Sequence, residues 1–168
     1  MNFTIRKAEL GDMPNMVELA VEMMPYSVSP FREVTTEEMK TYRRSDMFYL
    51  TELMKKPFFG VYVAEDPEKR FAGHVIVGCQ QMESSTGEMQ GWIFDISVKE
   101  EYWGSGVAAR LMEKAEEFTR GYGHKYLGLG VTTSNVRAVK FYEKIGFAEE
   151  RKRMLKKLDP KGANDDKN

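Results

Sequence analysis

The chain changes its hydrophobic period between residues 98 and 111. Up to Val98 apolar residues alternate, as in a strand; Val107, Leu111, Ala115 and Phe118 then recur at the three-to-four step of a helix. Between the two patterns lies a turn with glycines at 104 and 106. A strand that hands over to an amphipathic helix in this way calls for a sheet with helices packed on it. The turn also aims free backbone N–H groups at one point, aided by the helix dipole, which suits an anion such as phosphate. Glycine lets the backbone approach such a group without an intervening Cβ. The same pattern serves equally well as a tight turn that binds nothing.

Residues 3–8 alternate as a first strand. Asp12 and Pro14 mark a helix start, and Met13, Met16, Val17, Ala20, Met23 and Met24 form one apolar face that Pro25 ends. Residues 26–34 read as a loop. Thr35 and Glu38 fit a capping box for a second helix reaching about Lys56, with Met39, Tyr42, Tyr49, Leu50, Leu53 and Met54 on its buried side. Three strands follow, at residues 59–64, 73–79 and 91–98, joined by turns at 66–68 and 84–87. After the helix of residues 106–120 come a strand at 125–131, a helix capped by Asn135, and an extended stretch from Phe147 to Leu158. The order is an antiparallel meander leading into a β-α-β unit, an α+β sandwich. One domain over 1–158 and a polar, disordered tail over 159–168 are expected.

Composition narrows the function. There are 25 Lys+Arg against 26 Asp+Glu, so no basic excess points to nucleic acid. One cysteine, Cys79, and two histidines, His74 and His124, make a structural zinc cluster implausible, and no metal is expected. No apolar run reaches the ~20 residues of a membrane span, and the N-terminus lacks the build of a signal peptide, so a cytoplasmic protein without membrane contact is expected. The twelve methionines read as core filling.

The phosphate-loop pattern G-x-x-x-x-G-K-[ST] is absent. Gly104-x-Gly106-x-x-Ala109 matches a relaxed dinucleotide fingerprint, but the next strand is followed by Thr132-Thr133-Ser134, with no carboxylate for a ribose. A second block decides between the readings. Residues 135–147, Asn-Val-Arg-Ala-Val-Lys-Phe-Tyr-Glu-Lys-Ile-Gly-Phe, closely resemble the N-x-x-A-x-x-[FL]-Y-E-K-x-G-F signature of the GNAT-type N-acetyltransferases. The glycine turn resembles that family's [QR]-x-x-G-x-[GA] loop, with Gly106 and Ala108 at the last two fixed places. The resemblance spans 3–158 in element order and 92–147 in motif.

The resemblance implies the acyl-CoA N-acyltransferase fold: a mixed, mostly antiparallel sheet flanked by helices, with a splayed parallel strand pair. It implies acetyl-CoA as co-substrate and transfer of its acetyl group to a primary amine of a small or peptide acceptor by direct attack. A non-catalytic acyl-CoA-binding or sensing domain of the same fold is the alternative. The backbone of Ile96, Ser97 and Val98 would pair with the pantetheine arm, and Asn135 would hydrogen-bond it. The amides of Gly104, Ser105, Gly106, Val107, Ala108 and Ala109 would hold the pyrophosphate. Tyr142 would be the acid at the CoA sulfur and, with its hydroxyl there, part of the cofactor site. A backbone N–H near Val98, at a β-bulge, would hold the oxyanion. Relatives are often dimers, and a homodimer is expected.

Three departures stand out. Trp103 replaces the usual Gln or Arg, Glu100 a common proline, and Gly130 the glutamate base of enzymes acting on ribosomal-protein N-termini. For the base, Asp95 is the one carboxylate in the strand of residues 92–98, and alternation turns it away from Phe94 and Ile96. Glu83 is the reserve. Packing is the expected role of Tyr42, while Tyr26 and Phe31 either line a pocket or pack. The histidines have no partner visible in sequence, and Arg151-Lys152-Arg153 reads as a solvated strand edge.

Overall fold

A computed structural model describes residues 2–158 of the protein; the side chains of Leu50 and Thr51 and all of residues 159–168, where the sequence puts a polar tail, lie outside the described residues. Four strands, β1 (Thr4–Lys7), β2 (Phe59–Glu65), β3 (Phe71–Met82) and β4 (Met89–Val98), pair antiparallel in chain order. A fifth, β5 (Leu127–Leu129), lies parallel to β4 and completes one sheet in the order β1-β2-β3-β4-β5. A parallel neighbour needs a crossover, and here it is the helix between β4 and β5.

The helices are α1 (Met13–Glu22), α2 (Met24–Ser27), α3 (Thr36–Leu53), α4 (Val107–Gly121) and α5 (Val136–Lys144), with single 3-10 turns at Leu10–Asp12 and Glu100–Tyr102. On one sheet face Val107, Leu111, Met112 and Ala115 of α4 bury against Val75, Val77 and Ile93. On the other, Met13, Met16 and Ala20 of α1 and Met47 of α3 cover Val61, Val63 and Ile76. The sheet is thus sandwiched, as the alternation of its strands requires.

Several expectations are corrected. Pro25 does not stop a helix. It sits in the first turn of the one-turn α2, where a missing N–H costs nothing. On α3 the capping box forms, with the Thr35 N–H donating to Glu38 Oε2 at 2.8 Å and the Glu38 N–H to Thr35 Oγ1 at 3.2 Å. Its inner face is different from the one expected: Met47 is buried, while Tyr42 and Tyr49 are 69% and 75% exposed. Asp12 precedes α1, but its carboxylate accepts from the Glu9 N–H and from Arg6 rather than capping α1. Residues 147–158 form no strand ladder; Arg151 instead reaches back to Glu83, Ser84 and Ser85 in the β3–β4 turn.

One buried polar group ties the β2–β3 turn to the segment that leaves β4. Asp66 is 1% exposed and accepts from the backbone N–H groups of Glu68 and Arg70 at 3.0 and 2.9 Å, from Arg70 Nε at 2.7 Å and from the Tyr102 hydroxyl at 2.8 Å. Burial alone would raise its pKa. The Arg70 N–H, the Tyr102 hydroxyl and the Arg70 guanidinium outweigh burial and hold the carboxyl well below the usual range. Burial and the same bond push Tyr102 up to about 12. A carboxylate whose pKa is depressed on folding stabilises the native state above its unfolded pKa of ~3.9 and loses that effect as pH falls toward the folded value. The stability gap between wild type and Asp66→Asn should therefore be widest above about pH 4 and close below it. Urea titrations at several pH values will measure this; a pH-independent gap would contradict it.

Candidate active site

β4 and β5 pair only over Gly91–Leu127, Trp92–Gly128 and Ile93–Leu129. β4 runs on to Val98, whereas β5 ends at Leu129, so the two strands part just after Ile93. A β-bulge lies at that point. Val77 opposes Ile93 and Ile76 opposes Asp95, which leaves Phe94 as an extra residue. The bulge expected near Val98 is thus at Phe94. Its effect on side-chain direction is large. Ile93 faces α4, yet Asp95, two residues on, joins Ile76 on the α1–α3 face. Phe94 packs against Phe59 on that same face, at a ring separation of 5.3 Å. Asp95 therefore does not face away from Phe94, because simple alternation fails across an inserted residue; it does face away from Ile96.

Beyond the bulge the backbone has a free edge. The Lys99 N–H donates to Ala72 on β3 at 3.0 Å. By the period of two, the N–H groups of Ile96 and Val98 point the other way, into the opening between β4 and β5. Ser97 is buried on the α1–α3 face, with its hydroxyl 3.2 Å from Asp95. The Val98 carbonyl is already taken by the indole N–H of Trp103, at 2.8 Å.

The turn before α4 matches its sequence pattern. Gly104 and Gly106 have φ of 77° and 89°, and no atom within 4 Å would meet a Cβ at either. Gly106 is the N-cap of α4, so the amides of Val107, Ala108 and Ala109 begin the helix with no intrahelical acceptor. Ser105 departs from the expectation of a free amide: its hydroxyl and its backbone N–H both donate to the Tyr102 carbonyl, at 2.6 and 3.2 Å, because the 3-10 turn before Trp103 folds the chain back onto that oxygen.

α5 forms the opposite wall. Asn135 caps it, its Oδ1 accepting from the Ala138 N–H at 3.1 Å, which leaves its amide N–H groups for another acceptor. Tyr142 packs between Phe141 and Phe147, at ring separations of 5.3 and 5.8 Å. No residue among those described hydrogen-bonds its hydroxyl. Burial, with a contribution from the Asp95 charge, pushes its pKa up to about 12. The hydroxyl therefore stays protonated, within electrostatic reach of Asp95.

Asp95 has partners that sequence reasoning missed. Oδ1 takes Arg43 of α3, and Oδ2 lies 2.5 Å from Nε2 of His74 on β3. His74 is fully buried and stacks on Phe71. Burial would raise the Asp95 pKa; the His74 bond and the charges of His74 and Arg43 outweigh it and hold the carboxylate below its usual range. Glu83 is elsewhere. It closes the β3–β4 turn through the Ser85 and Thr86 N–H groups. Five steps along β4 separate Met89 at that turn from Phe94, about 17 Å at ~3.4 Å each. His124 bonds the Cys79 carbonyl at 2.9 Å, and Tyr26 bonds Glu100 at 2.5 Å while its ring packs edge-on to Trp103. No described helix is long and apolar enough to cross a membrane.

A sequence profile of the Acetyltransferase (GNAT) family matches residues 20–147. The chain belongs to that family. It is 26% identical over 148 residues to the uncharacterized N-acetyltransferase MJ1207 of Methanocaldococcus jannaschii, covering 88% of this chain but 62% of that protein. It is 30% identical over 151 residues to thialysine N-epsilon-acetyltransferase of Bos taurus, covering 84% of this chain and 82% of that one. Among solved structures, a chain from Pyrococcus furiosus provisionally described as an acetyl transferase superposes with a TM-score of 0.76 at 25% identity, over 94% of this chain and 100% of its own. The mixed sheet with a parting parallel pair is the GNAT acyl-CoA N-acyltransferase fold.

The ion pair beneath the bulge gives a stability test in this GNAT chain. Removing one member of a buried pair leaves the other uncompensated, whereas apolar replacement of both can be nearly neutral. Arg43→Met should cost about 1.5 kcal/mol, the size of one hydrogen bond to a charged group, because His74 and Ser97 still hold the Asp95 carboxylate. Arg43→Met with Asp95→Leu should cost less than the sum of the two single changes. Strict additivity in chemical denaturation would show that the two side chains do not interact.

Proposed function

We propose that the protein transfers the acetyl group of acetyl-CoA to a primary amine of a small-molecule or peptide acceptor. The observation that carries this is the parting of β4 and β5 at a bulge, flanked by a glycine turn opening α4 and by Tyr142 on α5. The pantetheine arm would lie along the free edge of Ile96–Val98 as an added strand, with the Asn135 amide donating to it. The backbone amides of Gly104 and of Gly106, Val107, Ala108 and Ala109 would take the pyrophosphate at the N-terminus of α4.

The reaction then divides between the two faces of the sheet. The acceptor binds as an ammonium ion beside the Asp95 carboxylate on the α1–α3 side, gives one proton to solvent, and attacks the thioester carbon as the neutral amine. The oxyanion forms at the Ile96 N–H, next to the bulge, and the Val98 N–H is left to the pantetheine arm. As the C–S bond breaks, Tyr142 donates to the sulfur, and the proton on the new amide nitrogen leaves through Asp95, directly or by way of water. Arg43 and His74 make Asp95 a weak base. It accepts the proton only once attack has made the nitrogen strongly acidic.

Gly130 follows β5 with no carboxylate, so the route with a glutamate base at that place is closed to this chain. The homodimer belongs to the same proposal: among the described residues no strand pairs with the outer edge of β5, and a second copy would cover it. Light scattering that gives a 19.4 kDa particle at high concentration would remove the dimer.

Calorimetry should detect acetyl-CoA binding by the wild type and none by Gly106→Trp, whose indole would occupy the phosphate position. An amine screen read by free-thiol release should find an acceptor; binding without thiol release would favour the acyl-CoA-sensing alternative. With that acceptor, Tyr142→Phe should lower kcat by about 10²–10⁴-fold and leave acetyl-CoA affinity nearly unchanged. Because the Asp95 pKa lies below the usual carboxylate range, Asp95→Asn should lower kcat evenly from pH 6 to 9 without moving the limbs of the profile. An unchanged rate would place the base elsewhere.

A further inference from the structure

We infer that Arg137, laid flat on Trp103, is the cation that faces the diphosphate of acetyl-CoA; the inference rests on the acetyl-CoA reading above. Trp103 occupies the loop position where the resemblance leads one to expect a polar Gln or Arg. Its indole N–H is already spent on the Val98 carbonyl at 2.8 Å. Tyr26, anchored by Glu100, packs its edge against the ring at 5.5 Å. The side chain at 103 thus offers a phosphate no donor.

It offers a platform instead. The guanidinium carbon of Arg137 lies 3.2 Å from the Trp103 ring centroid. Arg137 is the second residue of α5, two places after the capping Asn135. Stacking on a ring uses only the face of a guanidinium, so its N–H donors, which lie in the plane, remain available for phosphate oxygens. None of them makes a hydrogen bond or ion pair among the described residues. The charge also sits beside the first turn of α5 and in contact with the turn that opens α4. Both helix ends are positive, and burial disfavours the cation there, which the Glu100 charge offsets only in part. Trp103 therefore fixes, without any donor of its own, an arginine from the opposite wall beside the loop amides. A fork held in advance gives up less rotamer freedom when it binds.

The test compares two ligands. Acetyl-CoA and acetyl-dephospho-CoA share the diphosphate and differ in the 3′-phosphate. Arg137→Gln should weaken both by the same factor, about tenfold, the size of one partly exposed charge-assisted hydrogen bond. The affinity of the variant should also fall less steeply with added salt than that of the wild type. Arg137→Met, which keeps the stem on the ring, should behave like Arg137→Gln, and thermal unfolding will confirm that both fold. Trp103→Leu should weaken both ligands in the same direction and less strongly.

Unchanged affinity in Arg137→Gln overturns the inference. So does a loss seen only with acetyl-CoA, which would assign Arg137 to the 3′-phosphate, or an equal salt dependence in variant and wild type. A wild type that binds neither ligand overturns the acetyl-CoA reading and this inference with it. A wild type that binds both, beside an unaffected variant, overturns this inference alone.

Discussion

The extra residue at Phe94 sets the geometry on which the candidate site depends. Without it Asp95 would share a face with Ile93 and point into the apolar layer under α4, where an ionised carboxylate is prohibitively costly. With it, Asp95 reaches Arg43 and His74 on the other face, while Ile96 and Val98 return to the α4 side. β4 leaves the ladder with β5 at the same place. One insertion thereby separates a carboxylate on one face from the Tyr142 hydroxyl on the other, with an unpaired strand edge between them.

That arrangement needs the loop after β4 to be held firmly. Asp66 does this through Tyr102, and Trp103 does it through the Val98 carbonyl. Neither contact touches the proposed ligand. Both fix the path of the backbone ahead of Gly104, so the amides of the α4 turn are aimed before anything binds. A buried carboxylate with four donors is costly to assemble and uncompromising once assembled, which suits a loop whose N–H directions matter more than its side chains.

The elements with the clearest periods were legible in the sequence. α4 begins one residue from its expected place, the Thr35–Glu38 box forms, and Asn135 caps α5. The meander and the parallel return followed from the same patterns. What was hidden depends on register. His74 meets Asp95 only because of where β3 and β4 slip against each other, and no local pattern fixes a bulge between two apolar strands. Arg43 is contributed by α3, whose inner face the sequence misassigned. Tyr42 and Tyr49 looked like core because they are large and apolar, yet Met47 has the shape and flexibility to fill the space over Ile76. The final strand failed for a related reason. Residues 147–158 are mostly charged and hold no β-branched residue, and Arg151 is drawn to the β3–β4 turn, so no ladder forms.

The two walls of the cleft are held in different ways, which bears on where specificity resides. The CoA-side wall is sheet and α4, joined by a continuous buried layer from Val75 to Ala115. The mouth on the other side is bridged by single side-chain contacts: Tyr26 to Glu100 and Thr132 to the Ser27 carbonyl. A wall packed by a core tolerates little change, since each buried methylene is felt. Contacts made one side chain at a time, from a one-turn helix and a loop, can be exchanged without disturbing the core. In the proposed reading the donor side is therefore the more constrained of the two. In the acetyl-CoA reading proposed above, Arg137 on α5, seated on Trp103, would supply at the diphosphate end the charge that the Trp103 side chain does not.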